Sequence, residues 1–83
     1  MKITVKYFAS IREAIGVGSE SVSTSASTLA VLRDELVARG GSHAHSLARG
    51  KTLRMALNQT MADEATVLVE GAEVAFFPPV TGG

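Results

Sequence analysis

Apolar and polar residues alternate at the start of the chain, with Ile3, Val5 and Tyr7 interleaved between Lys2, Thr4, Lys6 and Phe8. A period of two marks a strand with one buried face, and it assigns Phe8 to the face opposite Ile3, Val5 and Tyr7. Ser10-Ile11-Arg12-Glu13 has capping-box spacing, which predicts a brief helix over 11–15 closed by Gly16. Gly16-Val17-Gly18-Ser19 is turn chemistry, after which Glu20 to Thr24 is expected to return as a polar edge strand against the first. Thr28, with Ser27 as the competing choice, caps a main helix in which Leu29, Leu32 and Leu36 recur at spacings of three and four beside Val37. Glu35 and Arg39 stand four apart in the favourable order, and Gly40-Gly41 provides the stop.

Ser42 to Thr52 mixes Gly, Ser, His and Ala without a clear period, and reads as a loop or a weak helical turn around Leu47. Leu53, Met55 and Leu57 alternate with Arg54, Ala56 and Asn58, a second strand that ends at Asn58-Gln59-Thr60. Met61 to Val69 shows no decisive pattern. Glu70-Gly71-Ala72 is a turn, and Glu73 to Phe77 forms the last strand, with Val74 and Phe76 on one face and Ala75 and Phe77 on the other. The order strand, strand, helix, strand, strand suggests an α+β domain with one main helix packed across one face of a mixed sheet. If the first and last strands are neighbours, Phe8 and Phe77 project together from the face away from the helix. A lone aromatic in a small domain is by default core, but parity places both of these off the most apolar face of their strands, where an aromatic pair marks a docking surface.

The chain has 83 residues, room for one domain, and a protein of this size buries only about 60–65% of the surface its unfolded form exposes. A deep private active site is therefore not expected. Apolar residues make up 46% and charged residues 19%, in the range of globular proteins. Eight basic residues cancel eight acidic ones without a Lys/Arg cluster, which argues against nucleic acid. Without cysteine there is no disulfide, thiolate nucleophile or thiolate metal site, so any sulfur chemistry needs imported sulfur. Polar interruptions in Met1 to Lys6 leave no signal-type apolar run and no segment approaches spanning length, which makes the cytoplasm the expected compartment.

Candidate chemistry within the body is sparse. His43 and His45 lack a nearby third ligand and read as part of a solvated loop. No Gly-x-Ser-x-Gly elbow supports a nucleophilic serine. Asp63 and Glu64 are adjacent, so they diverge on any regular element and are expected to be solvated. Gly16-x-Gly18 lacks the rest of a dinucleotide fingerprint, and there is no Gly-x-x-x-x-Gly-Lys loop. What remains is the end of the sequence, Phe77-Pro78-Pro79-Val80-Thr81-Gly82-Gly83. A terminal glycine has no Cβ, so its carboxylate enters narrow channels and its carbonyl is open to attack. Proline fixes φ and favours an extended course, and residues 78–83 fully extended reach up to roughly 20 Å from the body. The expected division is a body over 1–77 and an extended arm over 78–83, with Gly83 the reactive group.

Asn58-Gln59-Thr60, followed by the block from Gly71 to Gly83, resembles the small subunits of molybdopterin synthase, and Tyr7-Phe8-Ala9 with Arg12-Glu13 is similar to them too. The likeness covers essentially the whole chain and is weakest from Ser42 to Lys51. It implies a ubiquitin-like β-grasp fold and a sulfur-carrier role in molybdenum cofactor biosynthesis. An adenylating partner of the ubiquitin-activating type would use ATP and magnesium to activate the Gly83 carboxylate, and a sulfur donor would convert it to a thiocarboxylate. That group would donate sulfur to cyclic pyranopterin monophosphate inside the large subunit, making the chain a sulfurtransferase subunit with no bound cofactor of its own. By the same likeness Phe8, Met61 and Phe77 would meet the large subunit, Arg12 would add a polar contact, and the assembly would be a heterotetramer of two small and two large subunits. A ubiquitin-fold modifier that forms amide bonds to lysines, a sulfur carrier of the thiamin thiazole pathway and a non-covalent binding module are the alternatives.

Overall fold

The computed structural model describes residues 1–79, and the expectations for Val80, Thr81, Gly82 and Gly83 lie outside the described residues. The elements are β1 (Lys2–Tyr7), α1 (Ala9–Ile15), β2 (Ser19–Ser23), α2 (Leu29–Val37), α3 (Gly41–Leu47), β3 (Arg54–Leu57), β4 (Thr60–Ala62) and β5 (Glu73–Phe77). They build one mixed sheet in the order β2-β1-β5-β3-β4. The central β1 and β5 run parallel, with Val5 opposite Val74 and Tyr7 opposite Phe76, and the other neighbours are antiparallel. This is the ubiquitin-like β-grasp arrangement.

The period-two reading explains the core. Ile3, Val5, Tyr7, Val74 and Phe76 share one buried cluster with Leu29, Leu32 and Leu36 of α2 and Leu47 of α3. Burying this apolar set against a single sheet face is the main force holding the fold. Thr28 caps α2 as expected, its hydroxyl accepting from the Val31 amide at 3.3 Å. Gly16 ends α1 at φ 94°, donating its amide to the Arg12 carbonyl at 2.8 Å.

Five details differ from the expectation. Helix α1 begins at Ala9 and has no side-chain cap, because Ala9 takes φ 50° and turns the chain before Ser10. The Ile11 and Arg12 amides donate to the Phe8 carbonyl instead, so the capping box does not form. Strand β2 lies one residue earlier than predicted, because its ladder pairs Lys6 with Ser19 and Lys2 with Ser23. Glu35 and Arg39 do not pair with each other: Glu35 accepts from the Thr24 hydroxyl, and Arg39 reaches Glu20 at 2.6 Å. The Gly41–Leu47 segment is a seven-residue helix, anchored by the fully buried Leu47. Finally, Asn58 (φ 50°) and Gln59 (φ 69°) form a two-residue turn of the left-handed kind that closes tight hairpins, so Thr60–Ala62 folds back on β3 as a fifth strand. Asn58 also locks this turn to β5, exchanging hydrogen bonds with the Glu73 backbone at 2.8 and 2.9 Å.

Candidate functional site

The sheet has one face covered by α2 and α3 and one face open, and parity decides which side chains occupy the open one. In register across four strands lie Lys6, Ala75, Ala56 and Met61, with Arg54 opposite Phe77 in the adjoining row. Phe8 follows β1 on the same face, held there by its amide hydrogen bond to the Phe76 carbonyl at 3.2 Å. The Phe8 and Phe77 rings meet edge to face, 6.2 Å between centroids. Phe8 is 45% exposed and Met61 54%, while Ala56 and Ala75 between them are nearly covered. The result is a low alanine floor bordered by Phe8 and Phe77 on one side and Met61 on the other. Lys6 and Glu73 pair at 3.4 Å on this face, which leaves the apolar strip flanked by balanced charge there.

The structure thus brings Phe8 and Phe77 into contact and places Met61 on the same face across β3. Arg12 is not part of this strip. It projects from α1 across the α1–β2 turn, where a Cβ on Gly18 would lie 3.3 Å from its Nε.

The strand that carries Phe77 leads straight into Pro78 and Pro79. Pro78 and Pro79 form one wall of a cleft of about 290 Å³ whose other walls include Ile11 of α1, His45 of α3, Lys51 and Leu53. Because β5 is a central strand, paired on both sides, the point where Pro78 leaves the sheet is fixed by two ladders.

Two polar clusters support this frame, and neither was foreseen from the pattern of residues. Arg33 is buried in the apolar stripe of α2 and donates to the carbonyls of Leu47 (2.7 Å), Ala48 and Lys51 (2.9 Å), with Glu64 at 3.0 Å. It satisfies the carbonyls left open where α3 ends. Glu64, expected to be solvated, accepts from Arg33 and Arg49, whereas Asp63 turns away to cap its own turn through the Ala65 amide.

In the second cluster the Glu20 carboxylate accepts from Tyr7 Oη (2.7 Å), Arg39 (2.6 Å) and His43 Nε2 (2.9 Å). Burial on its own would raise the Glu20 pKa, but the hydrogen bonds from Arg39, His43 and Tyr7 outweigh it and hold the group at about 2, below its ordinary 4.5. Burial foremost, and then the Glu20 carboxylate, push the Tyr7 phenol well above its usual range. His43 is therefore a half-buried member of this cluster, edge-on to the Tyr7 ring, rather than part of a solvated loop. His45 is exposed. Among the described residues, no helix is long and apolar enough to cross a membrane.

A mixed five-stranded sheet with α2 on one side, an open aromatic face on the other and a central last strand leading into a Pro-Pro segment defines a ubiquitin-like β-grasp protein. Residues 5–83 match the model of the ThiS family. Over 81 residues the chain is 42% identical to the molybdopterin synthase sulfur carrier subunit of Escherichia coli (strain K12), and 40% identical to that of Haemophilus influenzae. In both cases 98% of this chain and 99% of the relative are covered. The chain belongs to the ThiS family, among the sulfur carrier subunits of molybdopterin synthase. Its fold is also similar to SAMP1 from Haloferax volcanii, with TM-score 0.79, 25% identity and full coverage of both chains. A further likeness is to a chain in the complex of subunits 1 and 2 of molybdopterin-converting factor from Helicobacter pylori 26695, with TM-score 0.69, 27% identity and full coverage of both chains.

Proposed function

We propose that this chain carries sulfur as a thiocarboxylate on Gly83 and delivers it into the large subunit of molybdopterin synthase. The observation that carries the reading is the identity to sulfur carrier subunits, which extends over 99% of their length, together with a family match that runs through residue 83. A carboxylate with an ordinary pKa near about 3.5 is ionised at neutral pH and is a poor electrophile, so activation comes first. A Gly83 carboxylate oxygen attacks the α-phosphorus of ATP on an adenylating partner that uses magnesium, and pyrophosphate leaves. A donor that delivers sulfur at the sulfide level, as hydrosulfide, then attacks the acyl carbon, AMP leaves as the carbon–oxygen bond breaks, and the thiol proton passes to solvent. The resulting thiocarboxylate is a soft nucleophile that attacks a carbon of cyclic pyranopterin monophosphate, and sulfur takes the place of an oxygen substituent as that carbon–oxygen bond breaks and the oxygen leaves with the pair of electrons. Water then cleaves the acyl–sulfur bond, which leaves sulfur on the substrate and restores the carboxylate. Two such deliveries build a dithiolene, and the chain is a consumed and recharged subunit rather than a catalyst on its own.

In this reading residues 1–77 serve as the body, while Pro78, Pro79, Val80, Thr81 and Gly82 form the arm that presents Gly83. Phe8, Met61 and Phe77 dock on the large subunit, with Arg12 as a polar contact outside the apolar strip, in a cytoplasmic heterotetramer of two small and two large subunits. The edge-to-face aromatic pair and the exposed Met61 support that docking face, since clustered aromatics and methionine are what interface cores select. The modifier alternative shares the fold, as the likeness to SAMP1 illustrates, but the identity there is 25% against 42% for the carrier subunit.

Deleting Gly83, or adding one residue after it, is expected to abolish sulfur transfer to the pterin substrate while thermal unfolding of the body is unchanged. Transfer retained at the wild-type rate by either variant would refute the assignment of Gly83.

A further inference from the structure

The root of the arm carries cations that the mechanism above does not use. Lys51 lines the cleft walled by Pro78 and Pro79, and Arg54 stands directly opposite Phe77 in the β3–β5 ladder. Both side chains are exposed. Among the described residues neither takes part in an ion pair, although six such contacts occur between other residues. The two acids that share a recess with them are already engaged. Asp63 and Glu64 line a shallow recess together with Lys51 and Arg54, but Glu64 is held by Arg33 and Arg49, and Asp63 caps its own turn. Among the described residues no acidic side chain lines the cleft at the arm's root, where Ser10, His45, Ser46 and Thr52 are the other polar groups. Since the chain as a whole is balanced at eight basic and eight acidic residues, this local excess is a property of placement.

We propose that Lys51 and Arg54 form a cationic collar around the root of the arm that docks against an acidic rim on the large subunit, at the mouth of the channel that receives the arm. The inference rests on the docking reading above and deepens it. The apolar strip of Phe8, Phe77 and Met61 has no directional preference of its own, whereas charge at one end of it fixes which way the body approaches. Unpaired surface charge next to an apolar contact acts mainly on the rate and orientation of encounter, and far less on the lifetime of the complex.

Stopped-flow association of the intact carrier with the large subunit separates these contributions. With Lys51→Glu and Arg54→Glu combined, the association rate at low ionic strength is expected to fall by roughly 10-fold or more, and its decline with added salt to vanish or reverse. Dissociation should change by less than about 3-fold, since rim charges act chiefly on encounter. The charge-conserving pair Lys51→Arg with Arg54→Lys should associate at the wild-type rate. Phe77→Asp serves as the reference for docking. If Phe77→Asp disrupts the complex while the charge-reversed carrier associates like wild type at every salt concentration, the collar is wrong and the docking face stands. If neither change affects association, the docking face itself is wrong and the collar falls with it.

Discussion

Arg33 shows how a single residue can be read two ways. It sits four residues after Leu29 and one after Leu32, inside the apolar stripe of α2, yet its type suggests a solvated helix face. The structure resolves the conflict: Arg33 is 5% exposed and its guanidinium donors are spent on the carbonyls of Leu47, Ala48 and Lys51 and on Glu64. Arg33→Ala is expected to lower the unfolding free energy by roughly 2–4 kcal/mol, because it leaves buried carbonyls without donors as well as removing the packed stem. Urea denaturation measures this directly, and a loss below about 0.5 kcal/mol would show that water replaces the guanidinium freely. The stripe position was a legible signal, since a charged residue at a core-facing position is rarely fully buried unless it is paired. Its partners were not legible, because they lie 14 to 31 residues away along the chain.

At the scale of elements, the Glu20 cluster joins β1, β2, α2's C-terminal extension and α3 through Tyr7, Glu20, Arg39 and His43. The folded-state pKa of Glu20, about 2, lies below its ordinary 4.5. The unfolded chain therefore binds a proton more readily in that interval, so the stabilisation is fully present above about 4.5 and is lost as pH falls through 2. Unfolding free energy is expected to drop by roughly 1–2 kcal/mol between pH 5 and the acid limit from this group, since its Arg39 partner is screened by solvent. Glu20→Gln should flatten that part of the profile, and an unchanged acid slope would show that Glu20 does not set it. Elements with strong internal pattern were readable: β1, β5 and α2 with its Thr28 cap all follow from local periodicity and capping chemistry. Helix α3 was not, since Gly41-Ser42-His43-Ala44-His45-Ser46-Leu47 has one large apolar residue and its stability comes from Leu47 burial and Arg33. Strand β4 was also hidden, because it depends on Asn58 and Gln59 both adopting positive φ. The Ser10 capping box looked sound locally and was displaced by the turn at Ala9.

At the scale of the whole molecule, the fold places a central, doubly paired strand directly before Pro78 and Pro79, with an apolar strip beside them. The face that carries the strip was legible by parity, since Phe8 and Phe77 fall opposite the core residues of their own strands and β1 and β5 are neighbours. Met61 came from resemblance alone, because its strand had no readable period; the register across Ala56 now gives it a geometric place on the same face. Phe77→Asp is expected to weaken association with the large subunit by roughly 100-fold or more, the range of a central aromatic hot spot. Titration calorimetry is the check, and unchanged affinity in a folded variant would remove Phe77 from the interface.

The central claim is chemical, and intact-mass spectrometry tests it most directly. After incubation with the adenylating enzyme, ATP, magnesium and a sulfur source, the chain should be heavier by the difference between one sulfur and one oxygen. Fragmentation should locate that change at Gly83. A mass that stays at the carboxylate value, or a ladder of isopeptide-linked species in its place, would contradict it.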